Sequence, residues 1–219
     1  MGYYMMLIEQ IFLVGINEKS KKISFDYKDY LFYGAIIMDL VLKDMISISG
    51  RNLQIEILNK DLTNDVILDK MLDFINTSRG NKTLMDVCYY FMKRSNKSDF
   101  IEVIISKLES LGFIKYLGKK RFIRRYQVTE PAIKTKILNE INAILIDNQE
   151  PTKELILLLS LLRIESNFSE IIPKKLRKIA EKRILKLVRE ESIGNALQDY
   201  IDEMKEELEE AFDDILDDD

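Results

Sequence analysis

"IKYLGKKRFIRRYQV", residues 114–128, is the stretch on which the interpretation of this chain depends. Two runs rich in apolar and aromatic residues flank "GKKR" at 118–121, and this order of strand, turn and strand predicts a β-hairpin. The hairpin carries five cations around an apolar pair, namely Lys119, Lys120, Arg121, Arg124 and Arg125 around Phe122 and Ile123. A solvated turn explains the charges but gives no reason for the apolar pair. The hairpin is therefore the first candidate for a functional site.

The segments on either side of this hairpin have helical patterns. A helix is predicted to begin at Ser98 or Asp99 and to end before Gly112, in the position that glycine commonly takes after a helix. The next helix starts at Pro131 and runs to about Ile146. Further helices are predicted over residues 7–16, 28–43, 62–78, 83–95, 152–164, 173–191 and 195–216. Most of the chain is thus expected to be helical.

A second β-hairpin and two helix caps complete the predicted elements. In "MISISGRNLQIEIL", apolar residues alternate on both sides of residues 49–52, as in a hairpin. Thr63 or Asn64 is the expected cap of helix 62–78, and Thr83 with Asp86 forms a T-x-x-D capping signal. The sequence predicts a mostly α protein, a single helical domain with short β-hairpins, one of them protruding and basic.

The charge of the chain is divided between two regions. Residues 199–219 contain twelve acidic residues and one lysine, which gives a local charge of −11. Because the whole chain carries −4, residues 1–198 carry +7. We therefore predict a basic helical domain over residues 1–198 and an acidic amphipathic helix or tail over residues 199–219.

Residues that the chain lacks disfavour most enzymatic functions. There is no histidine, so the commonest general base and metal ligand are missing. Phosphate-binding loops of the GxxxxGK[ST] and GxGxxG types do not occur. Asp65, Asp69 and Asp73 share one helix face, which is more typical of a solvated surface than of a cation site. The sequence predicts a protein that is not an enzyme and uses neither a cofactor nor a metal.

Cysteine usage and hydropathy indicate where the chain works. It has a single cysteine, Cys88, and no secretory signal pattern, which together predict a cytoplasmic protein. No apolar run approaches the roughly 20 residues that a membrane-spanning helix needs. Any association with a membrane is therefore expected to be peripheral.

Two interpretations of the 114–128 hairpin compete. In one, Phe122 and Ile123 fold back onto the core and the cations are merely solvated. In the other, the hairpin meets an anionic membrane, where each cation contributes about 1 kcal/mol and partial insertion of the apolar pair adds about 2–3 kcal/mol. A single hairpin would then bind with about micromolar affinity at best. A specific headgroup pocket, or several hairpins in an oligomer, would be needed for firm attachment.

A second hypothesis is that the chain is a winged-helix-like DNA-binding protein. The order of helix, strand, basic turn and strand also occurs in that fold. The helix that would enter the major groove has mainly acidic and small polar residues at its expected exposed positions, with Lys107 as the one cation. Phosphates repel such a face, and no arginine or asparagine is placed to read base edges. Nucleic acid is therefore not an expected partner. A protein-interaction module working through the acidic tail is a further alternative.

Five segments of the chain are similar to a known family. They are "LIEQIFLVGINEK", "YGAIIMDLVLKDMISI", "TNDVILDKMLDFI", "LESLGFI" and "PTKELILLLSLL", in this order. The most specific are T-x-D-V-x-L-D at Thr63–Asp69 and G-A-I-I-M-D-L at Gly34–Leu40. Over about residues 7–162 the chain resembles the Golgi phosphoprotein 3 family of peripheral membrane proteins, which also has bacterial members.

The resemblance implies a mostly helical, non-enzymatic fold with a protruding β-hairpin, which corresponds to residues 114–128. In eukaryotic members this hairpin aids oligomerisation and membrane contact, and it lies beside a pocket for phosphatidylinositol 4-phosphate. Those members act as adaptors that bind the cytosolic tails of Golgi glycosyltransferases. The resemblance therefore implies an anionic membrane lipid, a second copy of the chain and a protein cargo as partners.

The lipid pocket of the family is carried over only in part. Its tryptophan corresponds to a position near Ser24, and one of its arginines is replaced by Tyr33. Two further basic positions fall near Ser98 and Ile101. The resulting candidate headgroup pocket consists of the nearest aromatic and basic residues, Tyr27, Tyr33, Lys93, Arg94 and Lys97. The candidate lipid contacts of the hairpin are the seven residues 119–125.

Overall fold

The computed structural model describes residues 4–25, 28–50, 53–77, 82–92, 94–163, 172 and 175–190. Within these ranges the chain forms eight helices and seven short strands. The helices are α1 (Leu7–Gly15), α2 (Lys28–Leu42), α3 (Val66–Thr77), α4 (Leu84–Met92), α5 (Arg94–Ser110), α6 (Pro131–Leu145), α7 (Lys153–Leu162) and α8 (Arg177–Glu190). The strands are β1 (Ile16–Asn17), β2 (Lys22–Ile23), β3 (Ile46–Ser49), β4 (Gln54–Ile57), β5 (Lys82–Thr83), β6 (Ile114–Lys120) and β7 (Ile123–Val128). The mostly α fold is confirmed, while the tail 199–219 lies outside the described residues.

Helices α1 and α2 form the centre of the fold because both are apolar around most of their circumference. Every residue from Leu31 to Val41 is buried. Helix α1 packs against α2, α6 and α7, and α2 also contacts α3 and α4. The rings of Phe12 and Phe32 stack with centroids 5.4 Å apart across the α1–α2 contact. The strands form small antiparallel sheets at the edge of this helical core, in the orders β1-β2, β3-β4-β5 and β6-β7.

Two carboxylates lie inside the core at the start of α1. Asp39 of α2 accepts hydrogen bonds from the N–H groups of Leu7 and Ile8, at 2.9 and 3.2 Å. Glu9 accepts one from the N–H of Met6 at 3.0 Å. The first N–H groups of a helix have no partner within the helix, so these carboxylates satisfy them. Asp39, the acidic residue of the G-A-I-I-M-D-L segment, thus joins α2 to the beginning of α1.

Lys107 of α5 balances the buried negative charge of Glu9. Its ammonium group lies 2.6 Å from Glu9 Oε1 and also contacts Asp65 Oδ2. Only 15% of the Lys107 side chain is exposed, and Glu9 is fully buried. The expectation that Lys107 is an exposed cation of its helix is therefore wrong. The reason is that its two acidic partners come from distant parts of the sequence.

The cap of α3 also differs from the expectation. The N–H groups of Ile67 and Leu68 donate to Asp65 Oδ1 at 3.0 and 3.3 Å, so Asp65 is the cap rather than Thr63 or Asn64. The Thr63 hydroxyl instead donates to Asp69 at 2.6 Å. Two of the three aspartates on this helix face therefore have structural roles. In the described part of the chain, no group of three acidic, histidine or cysteine residues is placed to hold a metal ion.

Two other predicted boundaries are confirmed, whereas several helix ends differ from the prediction. The N–H of Thr83 donates to Asp86 at 3.0 Å and the N–H of Asp86 donates to Thr83 at 3.1 Å, as the capping signal predicts. Gly112 follows α5 with φ +72°, the left-handed conformation that glycine adopts most readily. Helix α4 ends at Met92 rather than at residue 95, and α8 begins at Arg177 rather than at residue 173. Helix α5 begins at Arg94 rather than at Ser98 or Asp99. No proline or glycine interrupts residues 94–98, so the helix continues through them.

The stability of the fold should depend on pH through Asp39. Burial raises the pKa of this carboxyl to about 7, against the opposing effect of its two backbone hydrogen bonds. The folded state then holds a proton that the unfolded chain, with a pKa of 3.8 for the same group, has released. The free energy of unfolding should therefore fall as pH rises from the pKa of Asp39 in the unfolded chain to its pKa in the folded protein. The decrease is at most about 1.4 kcal/mol per pH unit.

Urea unfolding of the wild type and of Asp39→Asn, between about pH 5 and about pH 7, measures this effect. The asparagine keeps one acceptor oxygen but does not titrate. The free energy of unfolding of the variant should therefore decrease less with rising pH than that of the wild type. Equal pH dependence in the two proteins would contradict the assignment.

Candidate functional site

The 114–128 hairpin has a two-residue turn that lies later in the chain than the sequence suggested. Strands β6 and β7 pair Tyr116 with Tyr126, then shift by one residue and pair Lys120 with Ile123. The turn is therefore formed by Arg121 and Phe122, and the prediction of a turn at "GKKR" is wrong. The cause is the shift in register, where Gly118 adopts φ +80° and lets β6 accommodate one extra residue.

The conformation of this turn is unfavourable for the residues that form it. Arg121 and Phe122 have φ +50° and +66°, as in the type I′ turns that usually contain Asn-Gly. Bulky residues rarely adopt this conformation, which costs roughly 1–2 kcal/mol for each. Hairpin stability therefore does not account for an arginine and a phenylalanine at the tip.

The base of the hairpin is held firmly by the rest of the domain. The buried ring of Tyr126 meets Phe12 edge-on, with centroids 5.1 Å apart, and its N–H donates to the Lys21 carbonyl at 2.8 Å. On the other strand, the N–H of Tyr116 donates to Glu109 of α5 at 2.6 Å. These contacts fix the position of the hairpin, so the tip residues are presented in a defined direction.

The tip itself is exposed. Phe122 has 99% of its surface accessible, and Ile123 has 45%. Phe122 therefore does not fold back onto the core. Lys119, Lys120 and Arg121 are exposed beside it, whereas Arg124 and Arg125 are half-buried. Leu117, which the sequence did not single out, adds an apolar side chain that is 42% exposed.

A pocket of about 370 Å³ opens at the side of this hairpin, between β2, the start of α2 and α5. It is lined by Lys22, Ile23, Lys28, Phe32, Ile101, Phe122, Ile123, Arg124 and Tyr126. Three of these side chains are cations and the others are apolar or aromatic. Neither Lys22 nor Lys28 forms an ion pair within the described part of the chain. A concave site with charges of one sign attracts an anion of opposite sign.

Arg124 is the one cation of this pocket with an acidic partner among the described residues. Its Nη2 lies 2.5 Å from Oε1 of Glu102 on α5. This ion pair raises the pKa of Arg124, despite a burial that alone would lower it. The guanidinium is therefore always charged, and it faces both the pocket and Glu102.

A larger cavity of about 490 Å³ lies between α6, the start of α7 and the first residues of the described chain up to Gln10 of α1. Its charged residues are Lys136, Glu140 and Glu154, and Lys136 lies 3.8 Å from Glu140 in an exposed ion pair. Because the charges have both signs, this cavity offers no net attraction for an anion. We therefore place the candidate functional site at the smaller pocket beside the hairpin.

The structure supports little of the headgroup pocket that the resemblance implied. Tyr33 is 1% exposed and donates its hydroxyl to the Phe91 carbonyl at 3.0 Å, so it belongs to the core and not to the pocket. Tyr27 and Lys93 lie outside the described residues, as do the side chains of Arg94 and Lys97. Sequence reasoning missed Lys22 and Lys28. The signal for them was the basic sequence "KSKK" and the lysine at the start of α2, close to the position of the family's tryptophan.

Helix α5 does not have the surface of a DNA-recognition helix. Its cation Lys107 turns inward to Glu9, and its acidic residues Glu102 and Glu109 contact the hairpin. Exposed positive charge, which DNA binding requires, is missing from the described part of this helix beyond Ser98. The DNA-binding alternative is therefore not supported.

The described helices include none that is both long enough and apolar enough to cross a bilayer. No protein of curated function matches the chain. The sequence model of the family described as Golgi phosphoprotein 3 (GPP34) matches residues 7–204, which is most of the chain. The protein therefore belongs to the Golgi phosphoprotein 3 family.

Proposed function

We propose that the protein is a non-enzymatic peripheral membrane protein that docks reversibly on anionic lipid through its hairpin. The observation that carries the proposal is the position of Phe122, which is 99% exposed at the tip of an anchored hairpin and follows three exposed cations. An apolar tip among positive charges fits a surface that is anionic outside and apolar beneath. The family to which the chain belongs is not known as an enzyme family, which agrees with this proposal.

The tip alone gives weak attachment. Three exposed cations contribute about 3 kcal/mol at an anionic surface, and partial insertion of Phe122 and Ile123 adds about 2–3 kcal/mol. The sum corresponds to a dissociation constant on the order of 0.1 mM before any cost of ordering. A second contact is therefore part of the proposal.

The pocket beside the hairpin supplies that contact. A lipid phosphate held by Lys22, Lys28 and Arg124 would lie next to the inserted tip, because Phe122 and Ile123 line the same pocket. Phosphatidylinositol 4-phosphate is the headgroup that family membership favours. Tyr27, Lys93, Arg94 and Lys97 remain candidates for further contacts.

The remaining partners are proposals of the same kind. Assembly of several copies through residues 114–128 would multiply the weak attachment of each hairpin. A role as an adaptor adds a protein cargo at the cytoplasmic face of the membrane. The acidic tail, residues 199–219, would be repelled by an anionic surface and would therefore not contribute to the attachment.

Co-sedimentation with vesicles tests the proposal. The protein should bind vesicles that contain phosphatidylserine more than neutral ones, and vesicles that contain phosphatidylinositol 4-phosphate most of all. Binding should weaken between about 0.1 M and about 0.5 M salt, because screening shortens the reach of the cations. Equal binding to neutral and anionic vesicles would refute it. Salt-dependent binding to duplex DNA, with none to vesicles, would restore the DNA-binding alternative.

A further inference from the structure

We propose that Glu102 is an internal competitor for Arg124 that makes the pocket selective for doubly charged phosphate monoesters over singly charged phosphate diesters. The inference rests on the proposed function, because it concerns the ligand of the same pocket. Glu102 does not contact the lipid in this scheme. Glu102 instead determines how much negative charge a headgroup needs in order to displace the Glu102 carboxylate from Arg124.

Arg124 lies between the carboxylate of Glu102 and the pocket in which we expect a lipid phosphate. Its Nη2 is bonded to Glu102 at 2.5 Å, while the same side chain lines the pocket that contains Lys22 and Lys28. Its Nε is buried and has no hydrogen-bond partner among the described residues. A guanidinium has five N–H donors, so Glu102 leaves part of this capacity unused. A phosphate in the pocket can therefore bind Arg124, and it then competes with Glu102 for the positive charge of the same guanidinium.

The ion pair is placed where exchange is easy. The Glu102 side chain is 51% exposed, so its carboxylate can return to water without a large loss of solvation. Ion pairs at such positions contribute only about 0–1 kcal/mol. Glu102 therefore acts as a modest barrier to anion binding and does not close the site.

The charge of the ligand decides whether this barrier matters. With Glu102 paired, the three cations of the pocket carry a net charge of two, from Lys22 and Lys28. A diester brings one negative charge and gains little by exchange with a carboxylate of equal charge. A monoester brings up to two, so it still gains attraction after the exchange. Repulsion of the wrong ligand is a common source of specificity.

A purely structural role for Glu102 is the competing explanation, and the chain offers a matched control. Helix α5 contacts the hairpin through a second glutamate, Glu109, which accepts the N–H of Tyr116 at 2.6 Å. Glu109 does not line the pocket and is not paired with any of its cations. If Glu102 only braces the hairpin, Glu102→Gln and Glu109→Gln should have similar effects.

The experiment compares the full-length wild type with Glu102→Gln and Glu109→Gln. Each protein is titrated with vesicles that contain phosphatidylserine, whose phosphate is a diester, and with vesicles of equal surface charge that contain phosphatidylinositol 4-phosphate, whose 4-phosphate is a monoester. Glu102→Gln should bind the diester vesicles about two- to fivefold more tightly, with a smaller gain on the monoester vesicles. The ratio of the affinity for monoester vesicles to the affinity for diester vesicles should therefore be lower in Glu102→Gln than in the wild type. Glu109→Gln should leave the ratio at the wild-type value.

Soluble glycerol phosphate distinguishes a free phosphate from a lipid surface as the source of recognition. It should displace the wild type from monoester vesicles, and failure to do so would overturn the assignment of the phosphate to the pocket. An unchanged ratio in Glu102→Gln, weaker binding in that variant, or equal effects of the two variants would overturn the competitor role while the proposed function stands. Wild-type protein that binds none of the vesicles would refute the proposed function itself.

Discussion

Replacement of Phe122 by serine should lower the affinity for anionic vesicles about tenfold or more. The phenylalanine side chain is 99% exposed in the free protein, so its burial in the lipid layer is a gain realised only on binding. Transfer of such a side chain out of water contributes about 1.5–3 kcal/mol when complete. Because the side chain makes no core contact, the free energy of unfolding should remain near the wild-type value. Vesicle titration and urea unfolding measure the two quantities.

The control is Leu62→Ser, which removes another exposed apolar side chain, 75% accessible, from the loop before α3. This variant should bind vesicles like the wild type. A Phe122→Ser protein with unchanged vesicle affinity would contradict insertion of the tip. A loss of affinity that is equal in the two variants would show that general surface hydrophobicity, rather than the hairpin, drives attachment.

Replacement of Lys107 by methionine should destabilise the fold by about 3–5 kcal/mol. The change removes the ammonium group that lies 2.6 Å from the fully buried carboxylate of Glu9 and that also contacts Asp65. Removal of one member of a buried ion pair is costly because the other charge stays in a poorly solvated place. The midpoint of urea unfolding should fall accordingly.

Lys136→Met is the matched control, because it breaks an ion pair on the surface. The Lys136 side chain is 77% exposed and lies 3.8 Å from Glu140. Its loss should change the free energy of unfolding by less than about 0.5 kcal/mol. If Lys107→Met were no more harmful than Lys136→Met, the buried network would not stabilise the fold.

The regular elements could be predicted because their signals are local. Helix α2 is recognisable from an apolar run that needs burial on all sides, and α4 from the capping signal of Thr83 and Asp86. Helix α6 begins at Pro131, where proline is favoured. Each of these signals lies within a few residues of the element that it defines.

The corrections concern contacts between distant residues. The sequence around Lys107 predicts a surface lysine, because its partner Glu9 comes from the first helix and is not visible in the local pattern. The turn at Arg121 and Phe122 depends on a register shift that the sequence of neither strand indicates by itself. The pocket requires Lys22 of β2 and Arg124 of β7 to meet, and only the packing of the hairpin against β2 brings them together.

The hairpin could therefore be chosen as a site from the sequence, but its pocket could not. The charges and the apolar pair at residues 119–125 are visible as a pattern. The cations of the pocket cannot be identified in this way, because Lys22 of β2 and Lys28 of α2 lie far from Arg124 in the sequence.

Whether the tip enters the lipid layer can be measured directly, because the chain contains no tryptophan. In Phe122→Trp the new residue is the only tryptophan, and its emission reports its surroundings. Anionic vesicles should shift this emission to shorter wavelengths, and lipids brominated in their acyl chains should quench it, whereas neutral vesicles should do neither. A Leu62→Trp control should show no response. Emission from position 122 that stays water-like while the protein sediments with anionic vesicles would contradict the account.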